Sequence, residues 1–206
     1  FMQYLDLMLL FGLPLFAWYG PVASTIGGDK RSPQPRWALT RGLLVCGVLG
    51  LALVGIEIVR STAGIMGVAV SDLVRDDLAW YLFDTAAGRA GLTRAFLLVL
   101  LLAVLGWQSQ RAERPFPIRR VTLLAGVALV SLAWNGHAAS GEGVSGTVRL
   151  VAGMAHLLAA GGWIGAIFAL LILFVRHGKP AAGEGLHMLW RALHTFSRPG
   201  TVFVGV

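Results

Sequence analysis

The chain has 206 residues, of which 56% are hydrophobic and only 13% charged, and its mean hydropathy is +0.73. A soluble domain carries about 25% charged residues, so a large soluble enzyme, a disulfide scaffold and a disordered chain are excluded. The net charge of +7 does not mark a nucleic-acid surface, because the basic residues form short clusters between apolar runs. A multi-pass membrane protein needs that distribution.

A helix crossing a hydrocarbon core of about 30 Å needs about 20 mainly apolar residues. Five runs qualify, namely Tyr4–Ala23, Arg41–Val59, Gly91–Trp107, Val121–Ala139 and Val148–Val175. A sixth starts near Gly200 and stops at Val206. The expectation is an all-α transmembrane bundle forming a single domain over residues 1–206, with five complete spans and the start of a sixth. Because the chain opens on Phe1 and ends inside an apolar run, it reads as a piece of a longer protein lacking its last spans. Pro14 should kink the first span. Arg94, at the start of the third, is expected to snorkel toward the headgroups.

The loops set the orientation. Residues 27–41, 107–120 and 176–198 hold 12 of the 17 basic residues and only Asp29, Glu113 and Glu184 among the acids. Basic loops stay in the cytoplasm, which places the N-terminus outside. The longest outer connection, residues 60–90, contains Asp72–Phe83, which is expected to form either an amphipathic interface helix anchored by Trp80 and Tyr81 or a loop capping the bundle.

Ionisable residues at membrane depth are costly and point to function by default. Here they are Asp6, Glu57, His137 and His156, all in the outer half by this topology. His137 closes the fourth span in Trp134-Asn-Gly-His. His156 lies about 12 Å along the fifth span from its outer end, at 1.5 Å per residue. A short Gly/Ser connection joins these spans, so the two imidazoles can share one groove, with Trp134 and Trp163 as its roof. Imidazole suits copper, zinc or haem iron. Met154 is about 200° around the helix from His156 and does not easily serve the same ion. Asp6 and Glu57 are supporting candidates, although a solvated carboxylate, or a partner for Arg60, accounts for them equally well. A lone intramembrane histidine can also be a helix–helix contact. The single cysteine, Cys46, reads as a small buried residue, and Gly161-Gly-Trp-Ile-Gly165 as a surface for close helix approach. No P-loop, H-E-x-x-H, G-x-S-x-G or C-x-x-C motif occurs, and no enzymatic reaction is expected.

Four pieces of the chain, in this order and spacing, carry a family resemblance: Thr85-x-x-Gly88 followed by Arg94; Trp134-x-Gly136-His137-Ala138; His156-Leu-Leu-Ala-Ala-Gly-Gly-Trp163-Ile-Gly165; and Phe196-Ser-Arg198. Together they resemble the CopD family of bacterial inner-membrane copper-resistance proteins. Gly91 stands where an aromatic residue often precedes the arginine, and the outer segment is not rich in methionine. The resemblance implies a larger helix bundle that moves copper across the inner membrane, often beside a periplasmic copper-binding protein of the CopC type. It also implies that His137 and His156 are copper ligands. Two other readings stand beside copper uptake from the periplasm. One is a b-type haem electron carrier using the same histidines. The other is a non-transporting copper-sensing subunit that docks a partner, or a second copy, through the outer segment.

Overall fold

The computed structural model describes residues 1–19, 34–110, 116–135 and 143–177, together with residues 190, 194, 200 and 201. Within them the α-helices are α1 (Met2–Tyr19), α2 (Gln34–Met66), α3 (Arg75–Asp84), α4 (Ala86–Ser109), α5 (Ile118–Val130) and α6 (Gly143–His177). Short 3-10 turns occupy Val70–Asp72 and Ser131–Asn135, and no strand occurs among the described residues.

Four stretches are long and apolar enough to cross a membrane: Leu39–Met66, Ala86–Ser109, Ile118–Asn135 and Gly143–Ile172. They coincide with the second to fifth apolar runs of the sequence, and the molecule is a membrane protein. At about 1.5 Å per residue α2 is some 50 Å long, well beyond the hydrocarbon thickness. Large apolar side chains such as Val45, Phe96, Leu123 and Phe174 point out of the bundle, as lipid-facing residues must. Of the sixth run only Gly200 and Thr201 are described, and both are helical.

Helix α1 carries Gln3, Asp6 and Pro14 among its apolar residues, and nine of its 18 residues are buried. It packs against α6, α5 and α2, and Leu7 and Leu10 are fully enclosed. Between lipid-bathed helices there is little hydrophobic drive, so association depends on close packing, which small residues permit. Gly12 supplies this. A Cβ there would collide with the backbone of Gly161 and Gly165, and a Cβ on Gly165 would collide with Gly12. The glycine pair on α6 is therefore a packing surface, and its partner is α1 of the same chain. Phe11 fills the place where α5 and α6 cross. Its ring lies 3.1 Å from where a Cβ would stand on either Gly126 or Gly161.

At one end of the bundle, α3 covers α2 and α4. The carboxylate of Asp77 accepts from the backbone N–H of Val74 at 3.2 Å, which starts the helix. Trp80 remains exposed, but Tyr81 is only 3% exposed and belongs to the core. The expectation that both aromatics anchor an interface is thus corrected for Tyr81. The turn from α3 into α4 explains Thr85-x-x-Gly88. The Thr85 hydroxyl donates to the Tyr81 carbonyl at 2.7 Å and accepts the Gly88 N–H at 2.9 Å. Any side chain at Gly88 would strike that same Tyr81 carbonyl.

Candidate functional site

The polar residues of the membrane-spanning helices gather in two places. The first is built on Arg94, about two turns into α4 and wholly inaccessible. Its Nη1 donates to Glu57 Oε2 of α2 at 2.9 Å. Its Nε donates to the Ser131 hydroxyl at 2.9 Å and its Nη2 to the Ser131 carbonyl at 3.2 Å. Glu57 uses its other oxygen to accept from Asn135 Nδ2 at 2.6 Å. One guanidinium thus ties α2 and α4 to the end of α5.

The local sequence makes this clamp. The Ser131 hydroxyl donates to the Ala128 carbonyl at 2.6 Å, and at that residue α5 tightens into its 3-10 turn. The last carbonyls of a helix lack internal partners, and a cation is favoured beside them. Arg94 answers both requirements. Tyr4 and Tyr81 lie within electrostatic range of the same guanidinium. Two sequence expectations are corrected here. Arg94 does not snorkel, because Glu57 and Ser131 satisfy it inside the bundle. Glu57, whose side chain is 28% exposed, is not paired with Arg60, because its oxygens hold Arg94 and Asn135.

The second place lies between α1 and α2. Asp6 is 5% exposed, so the expectation of a solvated carboxylate fails: α2 covers it. The Cys46 thiol is within hydrogen-bonding range of the Asp6 carboxyl. Asp6 Oδ2 has no hydrogen-bond partner, and neither has the amide nitrogen of Gln3, one turn earlier on the same face.

His156 stands apart from both clusters. His137 lies outside the described residues, two positions beyond Asn135. His156 is on the exposed face of α6, and Trp163, seven residues on, is 42% exposed. Trp134 and Met154 are half-buried. Among the described residues no three His, Cys, Asp or Glu side chains come together in a group able to hold a metal. The structure therefore separates Asp6 and Glu57 from His156. Arg94 was the residue that sequence reasoning undervalued. A signal for it was present, because Glu57 and Arg94 carry opposite charges at similar depth in consecutive, antiparallel spans.

With this geometry in place, comparison with known proteins is informative. Residues 1–147 match the family described as copper resistance protein D-like, N-terminal domain. The chain belongs to that family. It is also 32% identical to Copper resistance protein D of Pseudomonas syringae pv. tomato over 99% of its own length. It spans 63% of that relative. No solved structure matches it. Within the matched residues, Thr85 and Gly88 set the start of α4, and Arg94 locks α4 to α2 and α5.

Proposed function

We propose that the chain takes part in copper homeostasis of a bacterial inner membrane by carrying copper inward from the periplasm. The observation that carries this reading is its similarity to Copper resistance protein D along 99% of its length. In this reading α1 is a fifth complete span, the N-terminus is outside, and α3 lies at the periplasmic end. His137 receives the ion near the mouth and His156 binds it more deeply. Imidazole nitrogens hold copper firmly enough to replace its water. Without a closed cage of thiolates they also release it, as conduction demands. A periplasmic copper-binding protein of the CopC type is the expected donor.

The clamp has a supporting part in this proposal. Arg94 and Glu57 fix the turn Ser131–Asn135, and the segment bearing His137 follows directly. His156 and Trp163, exposed on α6, are open to ligands or helices beyond those that enclose α1. Copper accumulation by cells producing the protein tests the function. Uptake above that of control cells, lost in His156→Ala at equal protein level, is expected; uptake unchanged by that substitution would contradict it.

A further inference from the structure

The pair between α1 and α2 has a chemistry of its own. We propose that Cys46 and Asp6 form a buried two-donor site for a soft monovalent cation, cuprous copper or silver, separate from the histidines. The thiol of Cys46 and the carboxyl group of Asp6 face one another within hydrogen-bonding range. Asp6 Oδ2 is buried with no partner. A buried carboxyl oxygen left unsatisfied costs stability without return unless something binds it. Arg94, the buried cation among the described residues, is committed to Glu57 and Ser131.

The surroundings are shaped for that oxygen. Gly50 lies one turn from Cys46 on α2, and a Cβ there would come within 2.6 Å of Asp6 Oδ2 and 3.4 Å of Leu98. Glycine at this position leaves the carboxyl group its room. Cys46 itself packs against the core cluster that includes Leu43, Leu98 and Leu101, so the site is walled by hydrocarbon.

The donor set selects the ion. Thiolate sulfur prefers soft cations such as Cu(I). Zinc wants four ligands and calcium or magnesium six or more, whereas no third His, Cys, Asp or Glu joins this pair among the described residues. A two-coordinate monovalent ion is satisfied by one sulfur and one oxygen. Charge balance agrees. On loading, the Cys46 S–H bond breaks and a sulfur–metal bond forms. The thiol proton is relayed through the Asp6 carboxyl group to solvent, so Asp6 ends in the protonation state in which it began and a single proton is released. One positive charge enters and one departs, so the pocket gains no net charge within the membrane, where an uncompensated charge is expensive.

Naming cuprous copper as the natural ion rests on the copper reading; the site does not, and silver alone tests it. Silver nitrate is titrated into the purified full chain in detergent, following bound silver, released protons and alkylation of Cys46. The His137→Ala/His156→Ala double variant should still bind one silver ion, release one proton and protect Cys46 from alkylation. Cys46→Ser should lose the ion. Asp6→Ala and Gly50→Ala, which remove or displace the oxygen but keep the thiol, should each weaken binding by about tenfold or more. Silver retained by Cys46→Ser, or lost from the double histidine variant, would overturn the proposal. So would affinity unchanged in both Asp6→Ala and Gly50→Ala, which would reduce Cys46 to an ordinary thiol. Loss of copper uptake in His156→Ala bears on the histidines alone, so the two proposals fail separately.

Discussion

The two polar clusters of this bundle contrast in how completely they are satisfied. Around Arg94, both oxygens of Glu57, the Ser131 hydroxyl and the Ser131 carbonyl are all engaged, and only Asn135 Oδ1 is left without a partner. Around Asp6, one carboxyl oxygen and the neighbouring Gln3 amide nitrogen are buried without partners. The first arrangement is how a membrane bundle secures a charge it uses as a fastener. The second leaves an ionisable group itself unsatisfied, which is the ground for proposing that something binds there.

The sharpest way to break this contrast is to remove one half of the fastener. Arg94→Met leaves the half-buried Glu57 without its cation and the Ser131 groups without their donor, and should cost up to about 3 kcal/mol, read as a lower midpoint in detergent denaturation. Replacing both partners, Arg94→Met with Glu57→Met, should recover much of that loss, since a buried pair often contributes little more than apolar residues of similar size. In the second cluster the opposite sign is expected. Asp6→Ala removes an unsatisfied group and should leave the midpoint unchanged or raised, while weakening silver binding. A marked loss of stability in Asp6→Ala would show that Asp6 is itself a fastener.

Smaller effects sharpen the frame on which both clusters sit. Gly12→Val forces a side chain against Gly161 and Gly165 and should cost about 1–3 kcal/mol through overpacking, again measured by denaturation. Thr85→Ala should cost about 1 kcal/mol by removing the cap of α4. Comparing it with Gly88→Ala would separate the cap from the close approach to Tyr81.

Much of this fold was legible from apolar run length. The second to fifth runs predicted from sequence are recovered in Leu39–Met66, Ala86–Ser109, Ile118–Asn135 and Gly143–Ile172, because a helix is the spanning structure that satisfies its own backbone. The partnership of neighbouring helices was less legible. Arg94 lies near the start of its run, where cations ordinarily reach for the headgroups, and only the placement of Ser131 and Glu57 keeps it inside. Likewise Asp6, in the outer half of the first run, is equally well read from sequence as a solvated carboxylate. The glycines at 12, 161 and 165 draw α1 close against α6, and α2 covers the carboxyl group. Tyr81 went astray for a related reason: a helix as short as α3 has too few turns for periodicity to tell which aromatic faces inward. The histidines were found by residue type and motif, and that part of the reading rests on chemistry rather than on packing.

Everything proposed for copper turns on His137 and His156 holding the ion. The most direct measurement is the copper content of the purified protein after loading with cupric copper, beside His137→Ala and His156→Ala. About one copper ion per chain is expected, as a site of two imidazoles holds, and its loss in either variant. Copper content unchanged in both would contradict it.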